Sequence, residues 1–274
     1  FIIVIEIGTV LFFLLAISAL FIYRISRAGY SSLLFFNKDL TIDNRYKAAE
    51  NFRVIQVCLG FSFFIYHSII FFGLNNTILF FFSSFIISLL LEIIGTNKGL
   101  IFGKYSYEPK LCPGPIINNV PILIAISWTG LIYMALVCTM MIIDGAVGST
   151  IYLSHILLTA LLVTILDLVL DPIAVDEGRW SWDNPGKYYG VPIKNFIGWF
   201  FNCSVILLLF SLIATSHIMT NSYAKYIEFA PGILFVILPA IAARPCFERN
   251  LKNAGIIGLL FTSILIIMSY KNII

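Results

Sequence analysis

Residues 166–199 read LDLVLDPIAVDEGRWSWDNPGKYYGVPIKNFIGW. The stretch leaves one apolar run and enters another. Between them lie two aspartates four apart (Asp167 and Asp171), a Trp-Ser-Trp (180–182) and a Val-Pro-Ile (191–193). The rest of the chain explains the apolar ends. Its 274 residues are 60% hydrophobic and 11% charged, against about 25% charged in a soluble domain. Runs of about 17–25 apolar residues are long enough to cross the hydrocarbon of a bilayer. Eight such runs are read, at roughly 2–23, 54–73, 77–95, 120–143, 149–171, 195–215, 227–243 and 255–270. The expected fold is an all-α polytopic membrane protein, with residues 1–274 forming one transmembrane domain.

Charge fixes the expected orientation. Of 17 Lys and Arg, 15 fall in the connections after helices one, three, five and seven. Only Lys225 and Lys271 fall on the other side. Basic loops stay inside, so the long loops are expected in the cytoplasm and both termini outside the cell membrane. The chain starts apolar, with no basic segment or small-residue cleavage site, so a cleaved signal peptide is not expected. The net charge of +3 sits in loops and does not point to nucleic acid.

The quoted stretch has an earlier counterpart. Glu92 is followed seven residues on by Gly99, then by Lys104-Tyr105-Ser106-Tyr107-Glu108, Val120-Pro121-Ile122 and Trp128. Asp171 is followed seven residues on by Gly178, then by Arg179-Trp180-Ser181-Trp182-Asp183, Val191-Pro192-Ile193 and Trp199. Five ordered matches, separated by a four-residue insertion (100–103) and a loop-length change, predict an internal parallel repeat of helices three and four in helices five and six. The prolines also suit helix starts and the aromatics suit the headgroup layer. Neither property explains the acids.

An ionisable side chain in a membrane helix costs about 2.5–3.5 kcal/mol on insertion scales and is a functional candidate by default. Asp167 and Asp171 share one helix face, with Asp167 about 6 Å deeper. Two carboxyls in one apolar site cannot both ionise cheaply, so the pair is expected to hold a proton. Glu92 and Asp171 are each expected to end their helices at the membrane boundary. Asp176, Glu177 and Asp183 read as loop acids that are solvated or paired, and Glu6, Asp144 and Glu228 as ordinary interfacial acids.

Other chemistry is missing from the pattern. His67, His155 and His217 lie on three different elements, which does not suit a di-iron hydroxylase. No strand-borne GxGxxG and no Walker loop occurs. The five cysteines form no CxxC pair and read as small buried hydrophobes. No metal and no cofactor is expected, which leaves acid–base catalysis.

Glu92-x-x-Gly95-x-x-x-Gly99-x-x-Phe102-Gly103-x-Tyr105-x-Tyr107 resembles the first signature of the carotenoid-biosynthesis membrane family, which includes γ-carotene and bisanhydrobacterioruberin hydratases. Asp167-x-x-x-Asp171-Pro172, Gly178-x-Trp180-x-Trp182 and Val191-Pro192-x-x-Asn195-x-x-Gly198-Trp199 resemble its second. The resemblance implies a carotenoid hydratase, a cofactor-independent hydro-lyase adding water to the terminal C=C of an acyclic end group to give a tertiary alcohol. On that implication Asp167 and Asp171 donate the proton and Glu92 positions water, with the roles of Glu92 and Asp171 exchangeable. Tyr105, Tyr107, Trp128, Trp180, Trp182 and Trp199 would line the pocket mouth, and Asn195 would hydrogen-bond water or the product hydroxyl. The partners would be a carotenoid or other long isoprenoid lipid, lying in a slot between helices, and membrane lipids. A prenyltransferase-like enzyme, a proton-coupled transporter and a carotenoid-binding accessory protein stay open as alternatives.

Overall fold

The computed structural model describes residues 2–34, 44–148, 150–215 and 223–273. His217 and Lys38 lie outside the described residues. Among them, eight helices are long and apolar enough to cross a membrane. They are α1 (Ile2–Ala28), α2 (Asn44–Phe72), α3 (Leu74–Lys98), α4 (Ile122–Ile143), α5 (Leu153–Asp176), α6 (Ile193–Ile213), α8 (Ala230–Glu248) and α9 (Lys252–Ile273). A single turn, α7 (Lys225–Glu228), leads into α8. Only helices satisfy every backbone group from within one segment in hydrocarbon, which is why such apolar runs take no other form.

The helix ends correct the expected boundaries. Gly73 alone, at φ 80°, separates α2 from α3; a left-handed turn of one residue is cheap only for glycine. At the basic end α3 runs on to Lys98 and α5 to Asp176, so Glu92 and Asp171 stand within their helices and not at the termini. Helix α5 continues straight through Pro172. Proline brings no N–H for the carbonyl four residues back, here that of Leu168. The Tyr188 hydroxyl donates to that carbonyl at 2.8 Å and takes the missing partner's place.

Helix α4 is the hub. It packs on α2, α3, α5, α8 and α9, and Ile132, Ala135, Leu136, Val137, Cys138 and Met140 are fully buried. Helix α1 lies at the edge against α2, with Ile3, Val4, Leu11 and Leu14 turned outward. Part of the aromatic load therefore fills the core, not a lipid surface. Phe64, Phe72, Phe80 and Phe81 surround Tyr133 at centroid distances of 5.9, 6.1, 5.7 and 5.3 Å. The Tyr133 hydroxyl meets His67 Nδ1 at 2.7 Å, and the other ring nitrogen meets the Glu228 carbonyl at 2.9 Å, a satisfied core histidine.

Two short antiparallel ladders tie the loops at the basic end. Strand β1 (Tyr105–Tyr107) pairs with β4 (Trp180–Trp182), with Tyr105 opposite Trp182, Ser106 opposite Ser181 and Tyr107 opposite Trp180. Strand β2 (Ile116–Ile117) pairs with β3 (Val120–Pro121). Beside them a partly buried ionic network joins separate helices. Arg24 and Arg244 both reach Glu248. Arg249 holds Asp176 at 2.7 Å and Glu177 at 2.6 Å, and Arg179 holds Glu177 at 2.7 Å. Glu177, expected from the sequence to be a loop acid, is buried, at 5% exposure. Burial pushes its carboxyl up, but Arg179, Arg53, Arg249 and Arg27 together pull it below the ordinary value.

Candidate active site

Glu92 projects from α3 into the bundle and is 3% exposed. Three donors converge on it. The Tyr105 hydroxyl and the Tyr107 hydroxyl (2.7 Å) both donate to Oε2, and Trp128 Nε1 donates to Oε1 at 2.8 Å. The two tyrosines come from β1 and the tryptophan from α4. Loop and helix thus supply a shell of phenols and an indole, and among the described residues no cation pairs with the carboxyl.

The aspartates on α5 are buried as well, at 2% and 4% exposure. Asn195, near the start of α6, clamps them: its Nδ2 donates to Asp167 Oδ2 at 2.9 Å and to Asp171 Oδ2 at 2.6 Å. The two carboxyls are close enough to interact directly. Asp167 Oδ1 is buried with no hydrogen-bond partner among the described residues. Helix spacing alone put the two acids on one face; the amide that joins them comes from the next helix.

The aromatic residues singled out in the sequence join the halves. The Tyr105 ring lies 5.5 Å from Trp182, Tyr107 lies 5.7 Å from Trp180, and Trp128 stacks on Trp199. Trp182 Nε1 donates to the Phe102 carbonyl at 3.0 Å. Glu92 lies within electrostatic reach of both aspartates. All ten sequence-predicted residues therefore form one continuous cluster.

Other residues of the cluster were not singled out as site residues. Phe102 is 1% exposed and wedged between α3 and α6, where a methyl on Gly95 or Gly198 would overlap its ring. It belongs to the insertion at 100–103, in which Ile101 and Gly103 have positive φ, as does Gly99 just before it. That conformation is costly for a β-branched residue such as Ile101. A cavity of about 190 Å³ opens beside Tyr105 and Tyr107, bordered by Thr96, Pro109, Ile116 and Asn119. Arg179 does not reach Asp171; its partner is Glu177. His155 meets Asp144 at 2.8 Å and accepts from the Tyr152 N–H at 3.1 Å, so it is occupied by the protein. Among the described residues no group of three or more His, Cys, Asp or Glu is gathered closely enough to hold a metal ion.

Fold and site together define a polytopic membrane protein whose helices enclose carboxyl groups and aromatic rings near one end of the bundle. The chain belongs to the carotenoid biosynthesis protein family, whose model matches residues 52–265. Over 120 residues, 44% of this chain, it is 32% identical to a bisanhydrobacterioruberin hydratase of Haloarcula japonica, and the match spans 40% of that relative's length. No solved structure matches the chain.

Proposed function

We propose that this protein hydrates the terminal C=C of an acyclic carotenoid end group by acid catalysis, without a cofactor. Its place in a carotenoid-biosynthesis family and its likeness to a hydratase support the substrate class. The observation that carries the chemistry is that Glu92, Asp167 and Asp171 are all buried, with phenols and an indole bonded to Glu92 and one amide bonded to both aspartates.

Hydrogen-bond inventory supports the division of roles. Every neighbour of Glu92 brings a proton to it, and the indole N–H can only donate. The aspartates share one amide, Trp180 also reaches Asp171, and Asp167 Oδ1 is left without a partner among the described residues, an arrangement suited to sharing a proton. The aspartate pair gives that proton to the less substituted alkene carbon. The π electrons form the new C–H bond and leave a cation on the tertiary carbon. Aromatic faces stabilise such a cation by about 2 kcal/mol or more when desolvated. Water attacks the cation, forming the C–O bond, and its spare proton returns to the aspartate pair. The net change is addition of one water, and the site ends in its starting state. Glu92, held by three donors, orients the attacking water and balances the charge.

The same reading treats the two hairpins as a duplicated unit. Support comes from the Ser106–Ser181 pair at the centre of the β1–β4 ladder and from Trp128 on Trp199, each pair joining residues at matching repeat positions. On the charge asymmetry, the site faces the cytoplasm and the termini lie outside.

The test is expression in a host that makes acyclic carotenoids, followed by mass analysis of the extracted pigments. The expected product is heavier by one water per reacted end, and Asp171→Asn, at equal protein level, lowers its rate of formation by about a hundredfold or more. Pigments unchanged by the wild type across several acyclic substrates, or hydrated equally by the variant, refute the proposal.

A further inference from the structure

Deeper than the carboxyls, three polar side chains sit in the bundle at 0% exposure: Ser84 and Ser88 on α3 and Asn202 on α6. Neither polar atom of Asn202 and neither serine hydroxyl has a hydrogen-bond partner among the described residues, and nor does Asp167 Oδ1. An amide stranded in hydrocarbon is costly, so these groups call for a ligand that can both donate and accept.

The helix register brings them together. Helices α3 and α6 run antiparallel and are tied at two levels: Phe80 meets Phe210 at 5.2 Å, and Gly95 and Gly198 flank the Phe102 ring that lies between them. Between those contacts, steps of four carry α3 through Ser84, Ser88 and Glu92, and carry α6 from Gly198 through Asn202 and Ile206 to Phe210. Residues four apart share a helix face. Asn202 therefore faces α3 within about one turn of Ser88, and Ser88 lies one turn from Glu92. Asn202 also follows Asn195 by seven residues, on nearly the same face. Its neighbour Cys203 lies within electrostatic reach of Asp167.

We infer that Ser84, Ser88 and Asn202 form a water-binding site inside the bundle, one helical turn from Glu92, which supplies the attacking water that Glu92 orients. A polyene has nothing to offer an amide, and bulk water does not reach this depth. Water has the size and the paired donor and acceptor that these groups lack. What the water is for rests on the hydratase reading; that it binds does not.

Two measurements separate the claims. X-ray radiolytic labelling of the purified, carotenoid-free full chain reports bound water through oxidation of adjacent side chains. Cys203 and Cys138 are both buried at 0% exposure, but only Cys203 adjoins the proposed site. Cys203 is expected to be labelled at least about fivefold more than Cys138, and Asn202→Leu or the milder Ser88→Ala to reduce the difference. Equal, low labelling of both cysteines overturns the site. In the pigment assay Asn202→Leu is expected to lower hydration at least about tenfold while the protein still retains polyene, and Asn202→Ser to restore part of it. Unchanged hydration in Asn202→Leu overturns the role in delivery. A wild type that hydrates nothing counts against the hydratase reading alone, because the cysteine labelling still decides whether water binds.

Discussion

Asn195 offers the sharpest test of the carboxyl pair. Its amide nitrogen donates to Asp167 at 2.9 Å and to Asp171 at 2.6 Å, and all three residues are buried. A hydrogen bond to a charged group is worth about 1.5–3 kcal/mol. Two bonds from one nitrogen onto two adjacent carboxyls do not add fully, so Asn195→Ala is expected to cost about 2–4 kcal/mol. At about 1.4 kcal/mol per tenfold, the loss in hydration is roughly 30- to 1,000-fold if the clamp acts in the transition state. The decisive assay is a double-mutant cycle with Asp171→Asn, read as initial hydration rates in membranes matched for protein content. If Asn195 acts through the aspartates, the two losses are non-additive, with a coupling of about 0.5–3 kcal/mol. Strict additivity, or an Asn195→Ala rate within threefold of wild type, would refute the reasoning.

Three further outcomes are expected. Tyr107→Phe removes one donor from Glu92 and should slow hydration about tenfold with a modest loss of stability, measured in the same membranes. Tyr188→Phe strands the Leu168 carbonyl and should lower stability by about 1–3 kcal/mol in detergent unfolding; adding Pro172→Ala restores a backbone N–H and should recover most of it. Because the folded Glu177 carboxyl lies below its ordinary value, its contribution is complete above that value and is lost as pH falls through the folded one. Thermal stability should therefore drop on acidification below about pH 4.5, and Glu177→Gln should flatten that drop while lowering stability at neutral pH.

The fold was legible because hydrocarbon imposes one rule on every segment. Each backbone polar group must be satisfied within its helix, so run length and composition name the spans. The helix ends were less legible. Apolar content fades before the helix does, as at Asp171, Pro172 and the turn on to Asp176. Proline normally signals an end, and nothing local in the sequence says that Tyr188, sixteen residues on, will bond the carbonyl that Pro172 leaves open.

The site divided in the same way. Asp167, Asp171, Glu92 and their aromatic companions stood out because charge and indole are expensive or unusual in such company. The Arg24–Glu248 and Arg249–Glu177 pairs did not, because basic residues near helix ends read equally well as solvated loop charges. Asn202, Ser84 and Ser88 were invisible as well. Single small polar residues are common in membrane helices, and only burial without a partner sets these apart.

By itself the amino-acid order determined how many times the chain crosses the bilayer, which residues are ionisable where ions are costly, and that two segments share a pattern. Those are properties of one segment meeting one solvent. Which carboxyl meets which donor was decided only when α3, α5 and α6 packed around α4, because side chains from different helices come within hydrogen-bonding distance through packing that no local spacing encodes.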